Sequence, residues 1–223
     1  MLKHLLVLSL LLTASFAQAA EYGHYDPKRL LSVSETASGK HYRFNLGYLD
    51  QVLRDLSAHA RNYPPRFDSP QGRQRAVEDV KRFARMLDIL VNTPRPNTQI
   101  LARAGYLNSI GYNLDVPGSG EKAIAIFEKL LAATPSDPRA NYLYGSFLAN
   151  AQKPRQALPY LEKAYAGGMA DAAYTIGMAY LSLGNREKGL EHLEIYKRRN
   201  PDDTRVGRLI EAIRAGKIRS GKS

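Results

Sequence analysis

The chain has 223 residues and contains no cysteine. This absence excludes disulfide bonds, thiolate metal sites and a cysteine nucleophile. It also excludes the lipid-bearing cysteine that a bacterial lipoprotein carries after its leader. An exported chain without disulfides is more typical of a bacterial periplasm than of eukaryotic secretion.

Long apolar runs are equally scarce. The main apolar stretch is LLVLSLLL, residues 5–12, whereas a bilayer-spanning helix needs about 20 apolar residues. A basic start precedes this stretch, and Ala17, Gln18 and Ala19 follow it as a small-x-small cleavage site. The pattern predicts a cleavable signal peptide over residues 1–19 and a periplasmic product. The alternatives are an uncleaved anchor and a buried N-terminal helix.

Acidic residues are fewer than basic ones, 21 against 32, which gives a net charge of +11. The repeats described below are nearly neutral, so the excess lies at the ends of the chain. Residues 204–223 carry six basic groups against Glu211 alone. Such an end could meet anionic lipid, an acidic glycan or an acidic protein, or could simply be a solvated tail. Nucleic acid is not expected as a partner, because export separates the protein from it and stacking aromatics do not alternate with the basic groups.

Constellations for catalysis are missing from the sequence. Four histidines follow the signal, and none pair at helical spacing. His24 and His41 could gather a metal with Asp26 and Glu35, but zinc sites usually show tighter ligand spacing. The glycines around Ser119 lack the spacing of a phosphate-binding loop, and no serine has a Gly-x-Ser-x-Gly setting. We therefore predict no catalytic residue, no metal, no cofactor and no enzymatic activity.

What the chain does contain is an internal repeat. Gly111, Gly145 and Gly177 are 34 and then 32 positions apart (145 minus 111, 177 minus 145). Three further series keep these offsets: Ala123, Ala157 and Gly189; Phe127, Leu161 and Leu193; Leu114, Leu148 and Tyr180. A period near 34 with apolar residues at i, i+3, i+4 and i+7 is typical of stacked helical hairpins.

These small and apolar positions resemble the tetratricopeptide repeat (TPR) family, with units at residues 104–137, 138–169 and 170–203. The resemblance implies an all-α fold, a right-handed solenoid of antiparallel helix pairs. Unit two is two residues short, and Met169 stands where the family usually has proline. The resemblance covers about 100 of the 223 residues.

The segments before and after the repeats have other sequence patterns. Residues 20–45 are polar without a helical period and are expected to be an extended or partly disordered lead. Residues 46–96 carry two amphipathic stripes and are predicted to form an N-terminal helical hairpin. Residues 97–203 hold the repeats, and residues 204–223 are predicted to form a capping helix and a basic tail.

In the TPR family the first helix of each unit lines a concave groove. Carried over position by position, the resemblance assigns the groove to Asn108, Tyr112, Arg139, Tyr142, Ser146, Asn150, Tyr174 and Met178. Tyrosine offers a large amphipathic contact, asparagine could bond a peptide backbone, and arginine could meet a carboxylate. The alternative is that the tyrosines pack between neighbouring helices. The family's clamp for a terminal carboxylate is not matched.

The sequence thus predicts a non-catalytic periplasmic TPR protein that mediates protein–protein interaction, as an adaptor or assembly factor for a cell-envelope complex. Its expected partner is a protein or peptide of the envelope. The alternative is peripheral binding of anionic membrane or cell-wall polymer through the basic ends.

Overall fold

The computed structural model describes residues 21–36 and 39–217. The predicted signal peptide, residues 1–19, lies outside the described residues, as do residues 218–223 of the predicted basic tail.

Nine α-helices make up most of the described part of the chain. They are α1 (Leu46–Ala60), α2 (Pro70–Val91), α3 (Thr98–Asn113), α4 (Ser119–Ala133), α5 (Pro138–Asn150), α6 (Pro154–Ala166), α7 (Ala172–Ser182), α8 (Arg186–Arg199) and α9 (Thr204–Arg214). Six of them begin after an asparagine, aspartate or serine whose side chain accepts a hydrogen bond from a backbone amide of the first turn. These caps explain why the helices start where they do, since they satisfy otherwise unpaired amides.

From α2 onward each helix packs on the next one in the chain, whereas α1 packs on α3. The short connections make successive helices antiparallel, and α3 packs on α4, α5 on α6, and α7 on α8. Contacts of α2 with α3 and of α6 with α7 join each pair to the next. The architecture is an all-α solenoid, in which each pair buries its apolar face against its neighbours.

The apolar core follows this stacking. One cluster runs from Tyr22 through the helices to Ile176. A second, smaller cluster joins Leu181 and Leu193 to the apolar face of α9, formed by Val206, Ile210 and Ile213. Helix α9 therefore covers the apolar surface that the pair α7 and α8 would otherwise expose.

The lead before α1 contains a short β-hairpin. A 3-10 turn (Pro27–Leu30) is followed by an antiparallel hairpin of β1 (Leu31–Thr36) and β2 (Gly39–Phe44). Tyr22 and Leu30 are fully buried against α1 and α2. The sequence predicts an extended or partly disordered lead over residues 20–45. Its described part contains two extended strands, and two large apolar side chains anchor this polar segment to the helices.

The register of the first repeat also differs from the register that the sequence period predicts. One residue with positive φ ends the first helix of each pair: Asp115 (φ 60°), Gln152 (φ 59°) and Gly184 (φ 79°). The next amide in each case bonds the carbonyl five residues back: Val116 to Gly111, Lys153 to Leu148 and Asn185 to Tyr180. These matching turns identify equivalent positions independently of side-chain type.

By these turns, equivalent residues of α3 and α5 are 37 positions apart (152 minus 115) and those of α5 and α7 are 32 apart (184 minus 152). Asn108, not Gly111, is therefore equivalent to Gly145 and Gly177. The second helices keep the predicted spacing of 34, as Ala123 and Ala157 are both fully buried. The spacing between the first helices of units one and two exceeds the spacing between their second helices by three residues (37 minus 34), so unit one has a three-residue insertion after Asp115. The predicted in-phase series through Gly111 and Leu114 is therefore wrong for unit one.

Candidate functional site

The first helices of the pairs form one wall. Helix α1 contacts α3, α3 contacts α5, and α5 contacts α7. Tyrosines lie along this wall, and we call Tyr106, Tyr142, Tyr174 and the adjacent Tyr196 of α8 the tyrosine row. The rings of Tyr174 and Tyr196 have centroids 5.4 Å apart, and the phenol of Tyr142 interacts electrostatically with those of Tyr106 and Tyr196. The row therefore crosses all three repeats.

The row becomes more exposed toward α7. Tyr106 is largely buried, and its hydroxyl lies 2.6 Å from the hydroxyl of Ser57 on α1. Tyr142 is half-buried, whereas Tyr174 is 36% exposed and Met178, one turn later, is 38% exposed. Burial raises the pKa of Tyr106 and of Tyr196. These two phenols therefore stay neutral at physiological pH, and the row offers apolar area with hydroxyl groups at its edge.

The sequence predicts neither Tyr106 nor Tyr196 as a groove residue. Tyr196 stands where the family usually has a small residue, and this replacement could have indicated that Tyr196 lies beside the wall. Tyr106 carried no comparable signal, because only its interaction with Tyr142 and its contact with Ser57 place it beside the row.

Charged groups lie at the α1 side of the wall. Arg103 donates to both carboxylate oxygens of Asp50, from Nε at 2.7 Å and from Nη2 at 2.8 Å. The hydrogen bond from Arg103 lowers the pKa of Asp50, and the charge of Arg139 lowers it further. Arg139 itself is exposed, and its side chain has no bonding partner within the described residues. It can therefore bind a carboxylate next to the tyrosine row.

Asn108 is not a groove residue. Its side chain is 1% exposed, Nδ2 donates to the carbonyl of Ala104 at 2.8 Å, and Oδ1 is buried without a partner among the described residues. The prediction that it bonds a bound peptide is wrong. By the turns that end the first helices, Asn108 is equivalent to Gly145 and Gly177. The glycine that meets Phe127, the counterpart of Leu161 and Leu193, is Gly105, one turn earlier.

The remaining predicted groove residues are distributed over the wall. Tyr112 is 41% exposed and packs edge-on against Phe147, with ring centroids 5.8 Å apart. Ser146 is half-buried and its Oγ bonds no other described residue, and Asn150 is exposed at the end of α5. Asn113 occupies the equivalent end of α3, but it is buried and donates to the carbonyls of Ala60 and Arg61. The structure thus gathers Tyr142, Ser146, Tyr174 and Met178 on neighbouring first helices and puts Tyr112 and Asn150 at the helix ends.

A buried polar network fastens the lead to α1 and α2. The hydroxyl of Tyr22 donates to Asp79 at 3.0 Å, and the hydroxyl of Tyr25 donates to Asp55 at 2.7 Å. Burial raises the pKa of Tyr22, Tyr25 and Asp79. The sequence predicts an exposed helix residue at His59, which is wrong: it is buried 3.4 Å from Asp55 and stacked on Phe67. These contacts hold the lead against the helices, and Nε2 of His59 is buried without a hydrogen-bond partner among the described residues.

Residues 21–36 and 39–217 contain neither a cluster suited to a metal ion nor a helix suited to span a membrane. No cluster of three or more histidine, cysteine, aspartate or glutamate side chains there could hold a metal ion. Within the same residues, none of the helices combines the length and apolar character required to cross a bilayer.

The basic C-terminal end is partly neutralised where the structure describes it. Arg205 donates to Asp203 at 2.9 Å, and Arg214 donates to Glu194 at 2.6 Å. These pairs reduce the free positive charge of α9, so the described contacts give no added support to binding of anionic polymer through this end.

Comparisons with known proteins agree with this architecture. Residues 119–195 match the model of a TPR-type family, subunit 3 of the anaphase-promoting complex, or cyclosome. A thermophilic TPR protein of Thermus thermophilus has a similar crystal structure, with a TM-score of 0.53 and 18% identity over 75% of this chain and 91% of that one. The resemblance to the TPR family is confirmed, and the chain is an all-α solenoid of TPR type.

A curated relative gives a narrower match. The human aspartyl/asparaginyl beta-hydroxylase is 29% identical over 90 residues, which are 40% of this chain and 12% of that enzyme. The chain spans about an eighth of that protein's length. Proteins of the TPR fold are generally non-catalytic.

Proposed function

We propose that this protein is a non-catalytic adaptor or assembly factor of the bacterial cell envelope, which holds a segment of a partner protein against the wall of first helices. The observation that carries the proposal is the tyrosine row. It presents contiguous, partly exposed aromatic area on three successive repeats, beside the Arg139 cation, which pairs with no other described residue. Tyrosine and arginine are among the residues most enriched in protein–protein interfaces.

The wall suits a peptide segment better than a small molecule. Tyr142 and Tyr174 stand at equivalent positions of α5 and α7, 32 residues apart (174 minus 142). A linear partner can therefore make the same contact on consecutive repeats. TPR folds mediate protein–protein interaction in general, which supports a protein partner.

The proposal that this protein is exported rests on the leader sequence described above. Tyr22, which anchors the lead, follows the predicted cleavage site at Ala19 or Ala20 by two or three residues. Removal of the signal would therefore leave every described residue in the mature chain. Intact-mass measurement of protein from a periplasmic extract tests this: a mature chain starting at residue 20 or 21 supports export, and a full-length cytoplasmic chain contradicts it.

The groove is tested by replacing both Tyr142 and Tyr174 with alanine. We expect partner recovery in pull-downs from envelope extract to fall at least about tenfold, because alanine replacement of each aromatic anchor at an interface costs about 1–2 kcal/mol. Tyr63 is a matched control, since it is exposed and lies outside the wall. Unchanged recovery by the double variant, with helicity preserved, would show that the wall is not the binding surface.

A further inference from the structure

A second surface lies on the outer side of α2. Segment 24–28 of the lead runs beside this helix and leaves two open clefts, of about 530 and 490 Å³, that meet at Asp26 and Arg82. The α2 residues that line them recur at helical spacing: Gln71, Gln74, Arg75, Glu78, Asp79, Arg82, Arg85, Met86 and Ile89. The 18 positions from Gln71 to Ile89 (89 minus 71) correspond to roughly 27 Å of helix. We call this continuous surface the α2 cleft.

The acidic groups of the α2 cleft are satisfied internally. Asp79 accepts the hydroxyl of Tyr22, Glu78 pairs with Lys81, and Asp26 accepts the backbone amide of Lys28. None of these carboxylates therefore needs a partner from outside the chain.

The cations of the cleft form no ion pair with these three carboxylates, although the charges of Arg82 and Arg85 act on Glu78 and the charge of Arg82 acts on Asp79. The side chains of Lys28, Arg82 and Arg85 are exposed, and none has a hydrogen bond or ion pair within the described residues. His24 is exposed at the other end of the same cleft. Arg75 binds the carbonyl of Tyr22 through Nη2, while its Nε is buried and bonds no other described atom. The cleft thus presents available guanidinium groups, which bind carboxylates with two hydrogen bonds.

One end of the cleft is apolar. Ile89 is 74% exposed, and Met86 lies half-buried beside it. The two stand one helical turn beyond Arg82 and Arg85, so cationic and apolar contacts follow each other along one line.

We propose that the α2 cleft binds an extended acidic protein segment in which carboxylates are followed by an aliphatic residue. Charge complementarity selects the acidic side chains, and Ile89 with Met86 receives the aliphatic one. A concave cleft of this length fits about eight extended residues at roughly 3.3 Å each, whereas a bilayer surface needs a protruding apolar face. The site is separate from the tyrosine row, so it does not depend on the proposed groove.

The test uses a fluorescein-labelled peptide with the sequence Gly-Glu-Asp-Glu-Glu-Leu-Leu-Gly and the full mature chain. The charge-reversal pair Arg82→Glu and Arg85→Glu is expected to weaken peptide binding by at least about tenfold, since two charge-assisted contacts are lost. Ile89→Ser is expected to weaken it about threefold or more through the lost apolar contact. The matched control is Arg155→Glu with Arg198→Glu, two exposed arginines on α6 and α8 that also lack partners in the described part of the chain.

Specific loss in the Arg82 and Arg85 variant, with the control and the Tyr142→Ala, Tyr174→Ala variant binding normally, supports the proposal. An equal loss of peptide binding in the control variant would show that binding depends only on the net charge of the protein, and this result would overturn the proposal. Absence of peptide binding at millimolar concentration would also overturn it. So would binding of phosphatidylglycerol vesicles, but not of the peptide, through the same two arginines.

Discussion

At the residue scale, one side chain shows how an insertion changes a role. Asn108 has the residue type expected of a peptide-binding position, but by the turns that end the first helices it is equivalent to Gly145 and Gly177, and it is buried. A buried amide with an unpaired oxygen is costly in such a place, because its desolvation is not repaid by a hydrogen bond.

Replacing Asn108 with alanine should therefore leave partner binding unchanged. We expect the free energy of unfolding to stay level or rise by about 1 kcal/mol, as the small alanine removes an unpaired buried oxygen. Urea unfolding measures the stability, and the pull-down used for the groove measures binding. Lost binding with unchanged stability would restore Asn108 to the groove.

Asp79 provides a pH-dependent prediction. Burial raises its folded-state pKa, although the Tyr22 hydrogen bond and the charges of Arg82, His24 and Arg75 oppose the shift. A carboxyl with a raised folded pKa stabilises the fold below its unfolded pKa and loses that contribution as pH rises through the folded pKa. Asp79→Asn should therefore gain stability relative to wild type as pH rises from the unfolded value of about 4 toward neutrality.

Urea unfolding of both proteins across this pH range, with the difference plotted against pH, checks the effect of Asp79. Glu121→Gln is a suitable comparison, because Glu121 is exposed on α4. A pH-independent difference for Asp79→Asn would mean that Asp79 is ionised at no cost in the folded state.

At the element scale, the helices follow from local signals and the lead does not. Caps at Asn45, Ser69, Asn97, Asp137, Asn185 and Asp203 precede six of the helices, and each of these helices buries apolar side chains. The hairpin of β1 and β2 was missed. Leu31 and Val33 alternate with serines, which is a strand pattern, but two short strands are a weak signal because an isolated hairpin has little stability of its own.

Helix α9 is predicted to be essential to the last pair. Ile210→Asp places a charge in the small cluster with Leu181 and Leu193, so α9 should detach and the melting temperature should fall by several degrees, as expected for a loss of about 2–4 kcal/mol. Arg208→Ala, on the exposed face of the same helix, should change little.

At the scale of the whole molecule, the helical pairs over residues 98–214 form a stack in which each pair packs on the next. Hydrogen exchange therefore offers a sharp readout of the Ile210→Asp variant: amides of α7–α9 should exchange faster, and those of α1–α3 should keep their protection. Uniformly faster exchange across all helices would indicate a single cooperative unit in place of a nearest-neighbour stack.

The two proposed binding surfaces are each built by several elements together. The tyrosine row needs α3, α5, α7 and α8 in register, and the α2 cleft needs the lead to lie beside α2. Tyr142 and Tyr174 could be predicted because they keep the period of the repeat. Tyr106, Tyr196 and the available arginines of α2 could not, because their surroundings come from residues distant in the chain.

The amino-acid order by itself determined that this chain builds stacked helical pairs, since apolar periodicity and capping residues act within a few positions of each other. Tertiary packing alone decided that Asn108 is buried, that Tyr22 anchors the lead, and that no other described residue pairs with Arg82 or Arg85. The reason is physical: burial and the pairing of charges depend on which atoms fill the space nearby. That space is occupied by other helices, whose relative register changed with the three residues inserted after Asp115.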